Sequence, residues 1–227
     1  MKVLSLNVGR PLAVPYTHQP EGLTGIDKWP VEGPVRVAAP GPKGIGGSGL
    51  AGDAVCDRRH HGGNDQAVYA YAREDLDEWE RELGRRLRNG AFGENLTTEG
   101  LDVSGAEIGE RWRIGGEDGP VLEVSSGRIP CRTFQGHLGE PGWVKRFSQK
   151  GVTGAYLRVI EEGVIRAGDA VEIVRRPGHG VTATLEFRAT TTERELLPRL
   201  AVAGAALHTE VREELERLRA ARGVSPA

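Results

Sequence analysis

Ile108-Gly109-Glu110-Arg111-Trp112-Arg113-Ile114 reads as a glycine turn followed by a short strand. The same phrase returns downstream, where Ala167-Gly168-Asp169 precedes Val171-Glu172-Ile173-Val174. Val121-Leu122-Glu123-Val124 lies between them as another short strand. Upstream, Leu4, Leu6 and Val8 alternate until Arg10-Pro11 ends the apolar run. Val35, Val37 and Ala39 alternate until Pro40-Gly41-Pro42, and Gln66 to Ala72 carries Val68, Tyr69 and Tyr71. Branched and aromatic residues in short runs between Gly and Pro favour strands. The chain holds 33 glycines in 227 residues with no collagen-like period. That is about twice the usual share of roughly 7%, and it supplies many turns and bulges. A mainly β body with some α is expected over residues 1–176, as a closed or nearly closed β-barrel.

Helices are expected at fewer places. Leu76, Trp79, Leu83 and Leu87 share one face at helical spacing. Acidic residues crowd the first turn of that helix and Arg85, Arg86 and Arg88 its last, with Asn89-Gly90 as its end. A second helical stretch spans Trp143 to Gln149. The composition changes after Arg176-Pro177-Gly178-His179-Gly180. Residues 181–223 are expected to form a C-terminal three-helix extension, with helices at 182–189, 192–203 and 209–221. Pro198 must kink the middle one or delay its start. Three helices in so short a segment are marginal alone, so they are expected to pack on the barrel or on another subunit.

The remaining composition narrows the function classes. Hydrophobic residues make up 38% of the chain, enough for a sizeable core. A net charge of −2 without a basic stripe argues against nucleic acid as a partner. No secretory or membrane-spanning apolar run is visible, so a cytoplasmic protein with no membrane association is expected. Two cysteines, Cys56 and Cys131, are too few for a disulfide framework, and both are expected to be free. The Gly44–Gly49 loop lacks the Gly-Lys-Ser/Thr of a phosphate-binding loop.

Candidate chemistry lies in three clusters. Cys131 follows Arg128-Ile129-Pro130 and precedes Arg132. A thiolate is a soft metal ligand or a nucleophile, and positive charge nearby favours it. The other reading of Cys131 is a small buried residue. Arg58-Arg59-His60-His61-Gly62-Gly63-Asn64-Asp65 could hold an anion through His61 or form a tight turn before a strand. Zinc is a poor match there, because Cys-x3-His-His is not metal-ligand spacing and no second Cys pair exists. Ala91-Phe92-Gly93-Glu94-Asn95-Leu96-Thr97 places Asn95 either at a ligand or in a turn. Lys28 follows the loop Gly22 to Asp27; it is a solvated surface group unless the site binds a phosphate.

His61-Gly62-Gly63-x-Asp65, Gly93-Glu94-Asn95-Leu96 and Arg128-x-Pro130-Cys131, in that order, resemble the MOSC domain, named for the C-terminal part of molybdenum cofactor sulfurases. Thr24-Gly25-Ile26-Asp27-Lys28 and Thr153-Gly154-Ala155-Tyr156 resemble its YiiM-like bacterial branch, which carries a three-helix C-terminal extension. The resemblance implies a barrel of the pyruvate-kinase-barrel type and a bound molybdenum cofactor, a pterin dithiolene with a terminal phosphate. It maps the motif cysteine, a molybdenum ligand in related amidoxime reductases, onto Cys131. Lys28, His61 and Arg128 could then pair with phosphate and pterin, and Asn95 could contact the ligand. Pyridoxal phosphate finds no support, since the chain is too short to hold the sulfurases' cysteine desulfurase and Lys28 has no Schiff-base signature.

The leading expectation is a molybdenum-dependent reductase of N-hydroxylated compounds, such as N-hydroxylated purines, with Cys131 both catalytic and metal-ligating. The alternative is a carrier or sulfuration module in which Cys131 holds a persulfide, or the protein stores cofactor. A third reading is a barrel that has lost its site and serves as a scaffold. With no flavin, haem or iron–sulfur motif visible, electrons would come from a partner protein. Oligomerisation through the C-terminal helices is a further expectation.

Overall fold

The structure is a computed structural model and describes residues 1–17 and 20–221; the last two residues of the expected extension, 222–223, lie outside the described residues. Twelve strands run through it in chain order: β1 (Lys2–Gly9), β2 (Leu12–Ala13), β3 (Leu23–Thr24), β4 (Lys28–Pro30), β5 (Val35–Val37), β6 (Val68–Ala72), β7 (Leu96–Glu99), β8 (Arg111–Ile114), β9 (Val121–Ser126), β10 (Ala155–Glu161), β11 (Gly163–Ile165) and β12 (Val171–Arg175). Eight of them form one sheet in the order β12-β8-β9-β10-β6-β7-β1-β4. Every neighbouring pair is antiparallel except β6 and β7.

The sheet curls back on itself. Val3 donates its amide to the Asp169 carbonyl at 2.9 Å, Gly168 donates to Val3 at 2.8 Å and Val171 donates to Met1 at 3.0 Å. Together with a bridge between Lys2 and Ala170, these bonds join the start of β1 to the entry of β12. The expected mainly β body with helices is therefore observed, wrapped into a barrel with this short seam.

β1 breaks simple alternation. Its register slips between Val3 and Ser5, and polar Ser5 and Asn7 are buried with Val3 and Leu6. Leu4 and Val8 are only half-buried. Asn7 is accommodated because its amide donates to the Glu94 carbonyl (3.2 Å) and to Thr97 Oγ1 (3.0 Å), and accepts from Ser5 Oγ (2.7 Å). A buried polar side chain is tolerated when its hydrogen bonds are met.

Two apolar cores result. The larger fills the barrel with Val3, Leu6, Trp112, Leu122, Val124 and Leu157, and continues into Ala183, Leu197, Leu200 and Leu215 of the C-terminal segment. The other is aromatic: Tyr69, Tyr71, Trp79, Phe92, Phe134, Trp143 and Phe147 pack three helices against the barrel wall. Those helices are α1 (Arg73–Leu83), α2 (Arg132–Leu138) and α3 (Trp143–Lys150). α1 ends at Leu83, earlier than the expected Asn89-Gly90. Gly84 adopts φ 66 and returns its amide to the Glu80 carbonyl, a left-handed cap that stops the helix. Leu87 reaches the core from the following turn instead.

The C-terminal segment comprises α4 (Ala183–Thr191), a run of tight 3-10 turns (Arg194–Ala206) and α5 (Thr209–Ala221). The middle element is not the expected α-helix over 192–203. Pro198 lies inside it and lacks an amide donor, and Gly204 leaves helical geometry at φ 52, ψ −128. The ends of α4 and α5 agree with expectation within two residues.

Candidate functional site

Cys131 stands where β9 has ended and α2 begins. Gly127 to Pro130 run between the two elements, and Cys131 takes the extended backbone of the cap position, φ −129, ψ 170. Its side chain is half-buried and faces two connected spaces. The inner one, of about 120 Å³, is lined by Lys28, His61, Asn95, Arg128 and Cys131 among others. The outer one, of about 500 Å³, shares Cys131, His61 and Tyr156 with it and opens toward the C-terminal segment. All five candidate residues thus converge on one inner cavity.

Their states differ. Arg128 is 6% exposed. Its guanidinium lies 4.0 Å from the Phe134 ring centre and 4.9 Å from that of Tyr69, and it donates to the Phe92 carbonyl. No carboxylate pairs with it among the described residues. Gly93 makes this placement possible: at φ 73 a side chain there would press on Ile26 and approach the guanidinium.

Lys28 is not the solvated surface group that an isolated lysine suggests. It is buried, and its ammonium is ion-paired with Asp53. Burial lowers its pKa, with Asp53 opposing the shift. Asp53 also accepts from the Gly9 amide (2.7 Å) and from Asn95 Nδ2 (2.9 Å). The side chain of Asn95 is fully committed: it donates as well to the Asn7 carbonyl (3.2 Å) and accepts from the Tyr69 amide (3.1 Å). Asn95 therefore fixes Asp53, β1 and β6, and has no donor left for a ligand in this arrangement. Glu94, fully buried, holds the 90–97 loop by accepting from Gly90, Phe92 and Thr97. Burial raises its pKa, against those bonds.

His61 is neutral at physiological pH. Burial, then the charge of Arg128, pushes its pKa down to about 4. Gly62 beside it packs on the backbone of the Gly46-Gly47 loop, where a Cβ would meet the Gly47 carbonyl at 2.7 Å. The glycine-rich loop is thus a floor for the His61 segment. Asp65, the last residue of that motif, faces away from the inner cavity and accepts from Arg158 Nε (2.6 Å) and the Thr209 amide (2.8 Å).

Sequence reasoning missed several lining residues. Asp53 carried no motif, yet it organises Lys28 and Asn95. Cys56 also lines the inner cavity, and burial raises its pKa. The one available signal was the pair of carboxylates, Asp53 and Asp57, flanking Cys56 just before His60-His61. No group of three or more His, Cys, Asp or Glu among the described residues is arranged to hold a metal ion. A soft metal held through one thiolate and its own sulfur ligands does not require such a cage. A thiol at the mouth of an inner cavity containing an uncompensated guanidinium fits an anionic, sulfur-coordinated metal complex. No helix among the described residues is long and apolar enough to cross a membrane.

The MOSC domain family profile matches residues 57–172. YflK of Bacillus subtilis is 37% identical over 186 residues, covering 82% of this chain and 79% of that protein. A protein of Gibberella moniliformis named a reductase is 31% identical over 140 residues, 60% of this chain and only 24% of the fungal protein. The crystal structure of YiiM from Geobacillus stearothermophilus superposes with a TM-score of 0.73 at 29% identity, covering 95% of this chain and 97% of that one. Motifs, barrel and C-terminal segment together make this chain a YiiM-like member of the MOSC domain family.

Proposed function

We propose that this protein binds a molybdenum cofactor against Cys131 and Arg128 and reduces N-hydroxylated compounds. The observation that carries the reading is Arg128, a buried cation with no carboxylate partner among the described residues, beside a half-exposed thiol. An unpaired buried charge costs several kcal/mol, on the order of the penalties known for broken buried ion pairs, and an anionic ligand offsets it. MOSC membership and a relative named a reductase support the same reading. When bound, the cofactor supplies a redox metal able to take up oxygen from nitrogen.

The chain's own residues do the rest. Cys131 ligates, and Arg128 meets the negative charge. Lys28 is tied to Asp53 and contributes a compensated charge at the cavity floor. His61, neutral, supplies a ring nitrogen that can donate or accept without adding charge. The net conversion takes a hydroxylamine, two electrons and two protons to an amine and water; the electrons come from a reduced partner protein.

Protein purified from a cofactor-producing host is expected to contain molybdenum and pterin and to reduce hydroxylamines with an artificial donor. Absence of both metal and turnover overturns the reading. Cys131→Ser is expected to lower activity by at least about a hundred-fold, whereas Cys56→Ser is expected to retain it. The alternative carrier role draws on the accessibility of the Cys131 sulfur from the outer cavity. A native mass increase of one sulfur on Cys131, without turnover, selects it.

A further inference from the structure

We propose that the outer cavity takes a phosphorylated substrate, a nucleoside monophosphate, and that Arg59 and Arg132 at its rim bind the phosphate. This rests on the reductase reading and deepens it, by naming the nucleotide rather than the free base as the form bound.

Two guanidinium groups at this cavity are left unused by the fold. Arg59 lies in the turn before His60-His61, and Arg132 opens α2 directly after Cys131; both side chains are exposed. Both line the outer space of about 500 Å³. Neither has a hydrogen-bond or carboxylate partner among the described residues. Their neighbours differ. Arg58 donates to the Ile45 carbonyl at 3.2 Å, and Arg128 is taken up by aromatic rings and the Phe92 carbonyl.

The fixed charges around the space lean positive. Glu210 is ion-paired with Lys43, and Asp57 bonds His60 Nδ1 at 2.8 Å. Glu186, the third carboxyl of the lining, is 3% exposed, and burial pushes it up to about 8, so it is protonated at neutral pH. Burial also keeps His61 and His208 neutral. Three cations (Lys43, Arg59 and Arg132) therefore face two carboxylates, and both carboxylates are bonded to Lys43 or His60 rather than to the arginines. Arginine pairs with phosphate through two parallel N–H bonds, so two free guanidinium groups suit a phosphate better than a neutral group.

The layout suits a nucleotide. Its base has to reach Cys131, while its phosphate, costly to desolvate, stays near solvent. Arg132 and Cys131 are consecutive, with Cα atoms about 3.8 Å apart, so one small molecule can meet both. Tyr156, half-buried, lines the inner and outer spaces and offers a ring on which a base can stack.

Titration calorimetry without an electron donor tests this on the full chain as purified, with its metal content measured. The ligands are N6-hydroxyadenosine, its 5′-monophosphate and inorganic phosphate. One exposed charge pair is worth about three-fold, so the monophosphate is expected to bind about ten-fold tighter than the nucleoside at low salt. That advantage is expected to shrink at high salt. Arg59→Gln and Arg132→Gln are each expected to remove about three-fold of it, and the double variant nearly all, with nucleoside affinity held within about two-fold. Arg58→Gln is expected to keep the full advantage. Equal affinity for nucleoside and monophosphate, an advantage that survives the double variant, or inorganic phosphate binding as tightly as the monophosphate overturns the proposal. Turnover is read separately. Reduction of hydroxylamines with no preference for the phosphate sinks this proposal alone, whereas phosphate preference with no metal and no turnover sinks the reductase reading and keeps the phosphate site.

Discussion

At the scale of single residues, Arg128 and Glu186 hold opposite kinds of tension. Arg128 keeps a full charge while buried, supported by aromatic faces, the Phe92 carbonyl and the Tyr69 hydroxyl rather than by a carboxylate. Arg128→Met is therefore expected to leave the empty protein as stable as before, or up to about 2 kcal/mol more stable. The same variant is expected to lose cofactor retention. Thermal melts paired with metal analysis check both. Glu186 escapes the tension by keeping its proton. Its folded pKa of about 8 stands above the ordinary carboxylate value, so the folded state holds a proton that the unfolded state releases. Stability from this group is complete below about pH 4.5 and declines as pH rises toward 8, by an amount on the order of a few kcal/mol. Glu186→Gln is expected to remove that decline, visible as denaturant midpoints that diverge from the parent's above pH 5. Cys131, His61, Lys28, Asn95 and Arg128 were singled out from short motif strings in the sequence, and all five line one cavity. Asp53 was not singled out. Its importance lies in which partners it gains in three dimensions, and no local pattern records that.

At the scale of elements, a largely buried polar clamp helps to fasten the C-terminal segment, beside its apolar packing on the barrel. Asp65 bridges Arg158 and the start of α5, while Arg158 donates to the Ala206 and Leu207 carbonyls at 2.7 Å each. Both side chains are largely buried. Asp65→Ala is expected to cost about 3 kcal/mol and to speed amide exchange in 194–221 before the barrel opens. Uniform exchange across the chain would contradict that. Burial opposes the shift, but bonds from Thr209 and Arg158 hold Asp65 down to about 2. The clamp's contribution is thus present above about pH 3.8 and is lost as pH falls through 2. This role is not readable locally: Asp65 reads as a site motif, and its partners lie 93 and 144 positions away. Helices with long amphipathic faces, such as α5, were legible. α2 was not, because seven residues containing Gly136 carry too little periodicity. Gly136 is there because Tyr16 packs against the helix backbone, a contact invisible from local sequence.

At the scale of the whole molecule, glycine-punctuated strands announced a barrel, yet its closure rests on pairing between chain regions far apart. Deleting residues 1–3 is expected to unprotect the Val171 amide and to lower the melting temperature by several degrees, roughly the shift of a 2 kcal/mol loss at this size. Unchanged protection of Val171 would show that the sheet stands without its seam. The same joint bears on synthesis. β1 is made before its partners: β4 follows within about 20 residues, but β7 and β12 follow only about 90 and 170 residues later. At roughly 5–20 residues per second, the first strand waits on the order of ten seconds for its last companion. During that interval the edge awaiting β7 and the Met1–Val3 end awaiting β12 are open to stray pairing, so slow translation of the middle of this message would favour aggregation over maturation.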